Sequence, residues 1–170
     1  GWETPTGGGL HLATDYLSDD LGRTTRVTGP AHTIDLNGVA TSVRRVSWTV
    51  YQDADQEIWM AHGYATGASW DSFTLVNPVS ITKLDKSGQL LEAIQATRAS
   101  TSGPLVASDS FPQSSYVRWS TNQYTDCCLL SSSRVYHTIP ASGEGSSGTN
   151  YDETVFGYDS RKRRNRTVTP

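Results

Sequence analysis

Residues 32–43 read HTIDLNGVATSV, and this stretch decides the fold class. At its centre, Asn37-Gly38 supplies the positive φ angles that a two-residue type I′ turn requires, and apolar residues alternate with polar ones on both sides. The sequence therefore predicts a β-hairpin closed by these two residues. Such a turn places three pairs opposite each other on one face: Leu36 with Val39, Ile34 with Thr41, and His32 with Val43.

The apolar alternation changes phase directly after this hairpin. Val46 and Trp48 have the opposite parity from Val43, and the doublet Arg44-Arg45 lies between them. One extra residue would restore the alternation. We therefore predict a β-bulge or a strand break at the two arginines.

Short runs rich in β-branched and aromatic residues follow, separated by Gly, Pro, Ser and Asp clusters. Strands are predicted at 57–62, 72–76, 79–84, 104–107, 115–119, 127–130, 134–139 and 154–158. Residues 90–97 match a helix or a strand, and the turn-like sequence Asp85-Lys86-Ser87-Gly88 before them favours the strand. This spacing predicts an all-β protein, an antiparallel β-sandwich or compact β-barrel with long Ser/Gly-rich loops.

The composition is typical of a loop-rich extracellular or particle-surface β domain. Serine and threonine fill 42 of the 170 positions, whereas lysine occurs three times and methionine once. No apolar run approaches the roughly 18 residues that a membrane-spanning helix needs, so we expect no membrane insertion.

Three segments are predicted along the chain. Residues 1–30, with the triple glycine Gly7–Gly9, are interpreted as a linker or arm, 31–160 as the β domain, and 161–170 as a basic tail. The loop 141–150 is almost free of apolar residues and is predicted to be exposed. Because the chain starts with Gly1 and its only methionine is Met60, we expect further sequence upstream.

The net charge of −3 hides an uneven distribution. Five of the fourteen basic residues lie in the last ten positions: Arg161, Lys162, Arg163, Arg164 and Arg166. The rest of the chain has nine basic and seventeen acidic residues, a charge that repels phosphate, so the folded body is not expected to bind nucleic acid. Three interpretations of the tail stay open: a solvated segment, a contact with an acidic neighbouring subunit, and nucleic-acid binding. The tail also contains a furin-type pattern and the sequon Asn165-Arg166-Thr167.

No recognised motif for catalysis occurs, so the chain is not predicted to be an enzyme. The four histidines lie in no recognisable Ser or Cys context, and the nucleophile-elbow, zinc-helix and phosphate-loop patterns are absent from the sequence. A glycan hydrolase stays open as an alternative, because two carboxylates can meet through the fold.

One acidic stretch could hold a cation. Asp53 and Asp55, with Glu57, alternate between two apolar strands and suggest a calcium site, although the glycine and glutamate of a complete EF-hand loop are replaced by Ile58 and Tyr64. A charged hairpin loop without a metal is the alternative, and no other cofactor is expected.

The adjacent cysteines, Cys127 and Cys128, are either two free thiols or a strained vicinal disulfide.

Five aromatic residues in or beside polar, Gly/Ser-rich stretches are candidates for ligand binding. Exposed Trp and Tyr stack on sugar faces or anchor protein interfaces. The alternative is that each packs over the sheet edge with its polar atom satisfied. The candidates are Trp70, Tyr116, Trp119, Tyr124 and Tyr151, whereas Trp48 and Trp59 lie in strand-like runs and are predicted core residues.

The linker at Thr4–Gly9, the Asn37-Gly38 hairpin, the loop 141–150 and the basic end after Asp159 together resemble a known architecture. They are similar to the protruding domain of small non-enveloped positive-strand RNA-virus capsid proteins. The nearest examples are the spike domains of noda-, hepe- and astrovirus-like capsids, with the Lake Sinai virus group foremost. The resemblance concerns architecture, so no functional residue is transferred. The basic end departs from the family pattern, in which genome-binding arginines lie on an inward N-terminal arm.

The resemblance implies a structural protein on the virion surface, outside the cell. Such a domain contacts other copies of the same capsid protein and attaches to a host-cell receptor such as a glycan. A secreted carbohydrate-binding module or lectin is the first alternative, and it would use the same exposed aromatic residues.

Overall fold

The computed structural model describes residues 12–126 and 128–170, and most of them are in β-strands. Ten strands form one antiparallel sheet in chain order from β1 to β10, which is not closed into a barrel, so the all-β antiparallel prediction is confirmed. The described ranges contain no helix long and apolar enough to cross a membrane. The strands are β1 Asp15–Ser18, β2 Thr24–Leu36, β3 Val39–Gln52, β4 Glu57–Thr66, β5 Ser72–Leu84, β6 Leu90–Ala96, β7 Tyr116–Tyr124, β8 Leu130–Tyr136, β9 Tyr151–Tyr158 and β10 Arg164–Val168.

The predicted Asn-Gly hairpin joins β2 to β3. Asn37 and Gly38 have φ angles of 55° and 83°, as a type I′ turn requires. The Gly38 amide donates a 2.6 Å hydrogen bond to Asp35 Oδ1. All three predicted pairs are present, Leu36 with Val39, Ile34 with Thr41 and His32 with Val43, so the register is confirmed.

The irregularity predicted at the arginine doublet lies on the partner strand. β3 runs unbroken through Arg44, whereas the register on β2 shifts between Thr28 and Ala31. The buried Arg44 side chain donates to the carbonyls of Gly29 (2.6 Å) and Thr28 (3.1 Å), and it pairs with Asp15 Oδ2 (2.7 Å). Arg44 thus satisfies carbonyl groups next to the bulge. Of the two predicted irregularities, the β-bulge is present opposite Arg45 with its extra residue on β2, and β3 is not broken.

Several predicted strand bounds are corrected. Residues 72–76 and 79–84 form one strand, β5, which continues through a cis Asn77-Pro78 bond. Residues 90–97 adopt the favoured strand conformation as β6. Residues 104–107 are not a strand. Cys128 and Leu129 precede β8 in a turn, where the Cys128 amide donates to the Thr125 carbonyl and the Thr125 amide donates to the Leu129 carbonyl.

The predicted linker and tail are also corrected. β1 and the first part of β2 occupy the described half of the segment 1–30, while Gly7–Gly9 lies outside the described residues. The basic tail forms β10, which pairs with β9. Both missed strands lie at the ends of the sheet and are exposed along their length, so neither has the apolar alternation of a buried strand.

The chain divides into two compact units. Unit 1 comprises the chain up to Val50, Met60–Val76 and Ser100–Val106, and unit 2 comprises Tyr51–Trp59, Asn77–Ala99 and Ala107–Pro170. Trp48 is buried in unit 1 and Trp59 in unit 2, which confirms both as core residues.

Candidate recognition site on unit 2

A row of large apolar side chains crosses five strands of unit 2. Ile81 pairs with Ile94, Ile94 with Trp119, and Tyr136 with Tyr151, while the Trp119 and Tyr136 rings stack at 4.0 Å. Directly opposed residues on neighbouring strands share a face of the sheet. We call this side of unit 2 the aromatic face, and all five residues are at most 8% exposed.

Three of the predicted aromatic residues meet on this face. The Trp119 ring contacts Tyr116 edge-on at 5.9 Å, and the Tyr136 and Tyr151 rings lie 5.1 Å apart. Trp119 and Tyr151 are buried, so the packed interpretation, and not the exposed one, holds for both. Their cross-strand partners bury them, although their sequence neighbours are polar.

Trp70 and Tyr124 lie apart from this cluster. Trp70 is a half-buried residue of unit 1 in the loop between β4 and β5, and its φ angle of 55° is unusual for a bulky side chain. Tyr124 ends β7, and its hydroxyl donates a 3.0 Å hydrogen bond to the Leu90 carbonyl. The five candidates therefore do not form one aromatic platform.

A second row, of alternating charge, runs beside the aromatic one. Lys83 pairs with Glu92, Glu92 with Thr121, Thr121 with Arg134, and Arg134 with Glu153. Each lies two positions along its strand from a residue of the aromatic row, and therefore on the same face. We call these five residues the charged row.

Lys83 connects Glu92 of the charged row with a second carboxylate, that of Glu57. Its Nζ lies 3.1 Å from Glu57 Oε1 and 3.9 Å from Glu92 Oε1. The second oxygen of each carboxylate accepts an indole N–H at 2.8 Å, from Trp59 and Trp119 respectively. Each carboxylate thus contacts the Lys83 ammonium and accepts an indole N–H. These bonds hold the Trp59 and Trp119 side chains in position.

Lys83→Met is expected to destabilise the protein by about 2 kcal/mol at pH 7, because two partly buried carboxylates lose their shared cation. Burial lowers the pKa of Lys83, but the Glu57 hydrogen bond and the two carboxylate charges outweigh it and raise that pKa above 10.5. The stabilisation is therefore complete below the unfolded-state pKa and is lost as the pH rises through the higher folded-state value.

Urea unfolding between pH 7 and about pH 12 tests this prediction. The wild type should lose its advantage over Lys83→Met above about pH 10.5. Lys86→Met, at an exposed lysine in the following turn, is the matched control and should change little. A constant difference between wild type and Lys83→Met across this range would contradict the assignment.

Arg134 holds an exposed loop against the charged row. Its guanidinium binds Glu153 at 2.8 Å and Glu144 at 2.7 Å, and it lies 4.9 Å from the centre of the Tyr151 ring. The Arg134 hydrogen bond lowers the pKa of Glu153, against the opposing effect of burial. Glu144 belongs to the loop 141–150, whose predicted exposure is confirmed for residues 141–149. The loop is therefore anchored near its centre.

The phenol oxygen of Tyr136 is buried, and the charges of Glu144 and Arg134 act on it. Burial, followed by the charge of Glu144, raises the pKa of Tyr136. The phenol is therefore protonated at neutral pH.

The opposite face of unit 2 carries an open groove of about 510 Å³. Residues next to the aromatic row in sequence line it, and their side chains point away from that row because successive strand residues alternate between faces. Four residues of the aromatic row, Ile81, Ile94, Trp119 and Tyr136, also border it. The outward-pointing lining residues are Ser80, Thr82, Ala93, Gln95, Arg118, Ser120 and Val135.

The strand register explains the shape and polarity of the groove. Ala93 lies between Thr82 and Ser120 in one row, and its small side chain leaves the depression. Gln95 is flanked by Arg118 in the next row. The volume lies within the roughly 300–1,000 Å³ of small-ligand pockets, so the groove can hold a ligand about the size of one or two sugar rings.

In the described part of the chain, the residues of the predicted cation site are not grouped with further metal-ligating side chains. Asp53 and Asp55 lie in the turn between β3 and β4, and Glu57 is bound to Lys83 and Trp59. Within residues 12–126 and 128–170, no three His, Cys, Asp or Glu side chains are grouped to hold a metal. A calcium site stays a prediction.

The Cys128 thiol is free and exposed, and its neighbour Cys127 lies outside the described residues.

The groove residues were missed because they form no local pattern. Ser80, Gln95 and Arg118 belong to three strands and meet only through the register of β5, β6 and β7. The signal available in the sequence was the alternation of polar residues with Ile81, Ile94 and Trp119. It marks the solvent side of each strand but not a concave site.

No protein-family model matches the chain, and no curated protein matches it. The geometry of unit 2 therefore carries the functional proposal.

Proposed function

We propose that the chain is a non-catalytic recognition domain that binds a glycan in the groove of unit 2. The observation that supports it is the lining of the groove, where hydrogen-bonding side chains surround a small apolar centre. Ser80, Thr82 and Ser120 provide hydroxyl groups, and Gln95 provides an amide. Sugar hydroxyls both donate and accept, and these groups can match both roles.

Arg118 suggests which glycans bind best. It is an exposed residue at the groove, and its guanidinium can hold a carboxylate with two parallel hydrogen bonds. Ala93 and Val135 offer apolar surface to the C–H groups of a sugar ring. The preferred ligand is therefore a glycan with an acidic sugar.

The setting that we propose is the protruding domain of a small non-enveloped RNA-virus capsid. In that setting the groove faces a host-cell glycan on the virion surface, and other copies of the capsid protein are the remaining partners. The all-β sheet and the anchored, exposed loop 141–150 support this setting. A secreted lectin would use the same groove, and the sequence of the natural polypeptide distinguishes the two settings.

Arg118→Ala is expected to weaken binding of an acidic glycan at least roughly tenfold, as the loss of a charged hydrogen bond implies. Ala93→Tyr should abolish binding by filling the groove, with little loss of stability because the side chain enters open space. A glycan array followed by calorimetric titration of the best ligand measures both effects. Arg45→Ala, at an exposed arginine of unit 1, should bind like wild type.

Unchanged affinity in both groove variants would place the binding site elsewhere. Binding to no glycan on a broad array would overturn the proposed function itself.

A further inference from the structure

The basic residues after Asp159 are held in an ordered hairpin between β9 and β10. The Asp159 amide donates to the Arg163 carbonyl, and the Lys162 amide donates to the Asp159 carbonyl, both at 2.9 Å. Asp159 Oδ1 also accepts the amides of Arg161 and Arg163, at 2.9 Å each. β10 then pairs with β9 from Arg164 to Val168. The charges therefore lie at fixed positions, and a ligand binding there loses less free energy in ordering the chain.

The chain contains the same turn between β1 and β2. The Asp19 amide donates to the Arg23 carbonyl and the Gly22 amide to the Asp19 carbonyl, both at 2.9 Å. Asp19 Oδ1 accepts the amides of Leu21 and Arg23, at 3.0 and 2.8 Å. The two turns are equivalent in hydrogen bonding, but Asp20-Leu21-Gly22 takes the place of Ser160-Arg161-Lys162.

The fourth position of this turn has a left-handed backbone that favours glycine. Gly22 has a φ angle of 78°, and Gly88 has 81° in the related turn that begins at Asp85. Lys162 has 62° at this position, and Cys128 has 70° in the turn that begins at Thr125. A lysine at this position is therefore less stable than a glycine. The folding of the turn does not explain why a charged residue is found there.

Most of the positive charge on the hairpin is available to a ligand. Arg163 is paired with Asp159 at 2.8 Å, and Arg164 lies 5.4 Å from the centre of the Phe156 ring. Arg161, Lys162 and Arg166 are exposed and form no ion pair within the part of the chain that the structure describes. Residues 160–170 contain no acid to offset them.

Gly157 fixes the course of one of these side chains. A Cβ atom at Gly157 would lie 3.0 Å from Arg166 Cβ. Because Gly157 has no side chain, β10 can lie close to β9 at Arg166. Such a close approach is a common use of glycine in a strand. The base of the Arg166 side chain is thus fixed against β9, while the side chain itself is exposed.

We propose that this basic hairpin, residues 159–168, is a binding site for a sulfated polysaccharide. Sulfate groups need cations and hydrogen-bond donors at spaced positions, which the exposed basic side chains, Ser160 and Asn165 provide. Proteins that bind single-stranded nucleic acid combine basic residues, which follow the phosphates, with aromatic rings on which the bases stack. The aromatic residues beside the hairpin do not offer this, because Arg164 covers Phe156 and the Tyr158 hydroxyl donates to the Leu130 carbonyl at 2.9 Å.

The test transfers the β1–β2 turn into the basic hairpin. The triple variant Ser160→Asp, Arg161→Leu, Lys162→Gly keeps the turn that the chain already uses at residues 19–23, so it should fold. The 170-residue chain is titrated with a heparin dodecasaccharide and with a single-stranded RNA of equal charge. We expect wild type to bind heparin more tightly than RNA, and the variant to lose roughly tenfold or more in heparin affinity.

Two further variants locate the site. The reciprocal change Asp20→Ser, Leu21→Arg, Gly22→Lys, made in the triple variant, should not restore binding. The strand after this turn, β2, has Thr24 at the position of Arg164, and its Arg26 lies against the Phe73 ring at 5.1 Å. Arg45→Ala, at an exposed arginine of unit 1 outside both proposed sites, should leave heparin binding unchanged.

Four results would overturn the proposal: no heparin binding by wild type, tighter binding of RNA, full binding by the folded triple variant, or rescue by the basic turn at residues 20–22.

Discussion

Gly63→Ala is expected to lower the free energy of unfolding by about 3 kcal/mol or more, the upper end of the range for overpacked cores. Gly63 is a buried residue of β4 in unit 1, and a Cβ atom there would overlap the Thr74 carbonyl oxygen. It would also lie 2.8 Å from the edge of the Trp48 ring. Neither the neighbouring main chain nor the buried tryptophan can move without opening the core of unit 1.

Thermal and urea unfolding of the purified variant measure this effect. Gly29→Ala is the matched control, because a Cβ atom at that strand position meets its nearest neighbour at an ordinary 3.6 Å. It should stay within about 1 kcal/mol of wild type. Equal stability of the two variants would show that the strands around Gly63 can separate enough to accept a methyl group.

The importance of Gly63 is hidden in the sequence by its context. β4 was predicted over 57–62 and extends to Thr66, so the glycine fell just outside the predicted strand. Within the observed strand, Trp59, Ala61, Gly63 and Ala65 occupy alternate, buried positions. Small residues there make room for a large ring on another strand, and a single sequence does not show which ring that is.

The Asn37-Gly38 hairpin could be predicted because its determinants are local. Two residues that accept positive φ angles fix the turn, and the turn fixes every pair that follows. The strand at the arginine doublet could be predicted only in part. A change in apolar parity signals an irregularity, but the extra residue can belong to either strand, and here it is on β2 beside Pro30.

The terminal strands were missed for a different reason. β1 and β10 each have one neighbouring strand in the sheet, so their side chains stay exposed and no apolar face is needed. Five basic residues in ten positions are typical of a solvated tail. The basic hairpin is ordered by Asp159 and by main-chain pairing with β9. The Asp159 turn is a short-range signal, and the same turn occurs at Asp19.

The candidate site shows how local composition misleads about burial. Trp119 and Tyr151 were candidates for exposed ligand-binding residues because Ser, Thr, Asn and Gln surround them in sequence, with packing against the sheet as the alternative. In a strand those neighbours point to the other face, and the aromatic residues meet buried partners across the sheet. The same alternation produces the groove, since the polar neighbours of the buried row become its lining.

Trp119→Ala is expected to cost about 3–5 kcal/mol, as for other large aromatic residues removed from a core. The substitution removes the stacked contact with Tyr136 at 4.0 Å and the edge contact with Tyr116 at 5.9 Å. It also removes the indole N–H that donates to Glu92. Trp119→Phe keeps most of the ring contacts and should cost only about 1–2 kcal/mol, mainly for the lost hydrogen bond.

Urea unfolding and the near-ultraviolet circular dichroism of the Trp119–Tyr136 pair measure this loss. Trp70→Ala is the matched control, because Trp70 is half-buried in a loop of unit 1, and its effect should be less than half as large. The paired measurement separates two roles that the sequence left open. A large loss of stability in Trp119→Ala assigns Trp119 to the core beneath the groove. Normal stability with lost glycan binding would instead make it a ligand platform, and the buried aromatic row would then have to open when the glycan binds.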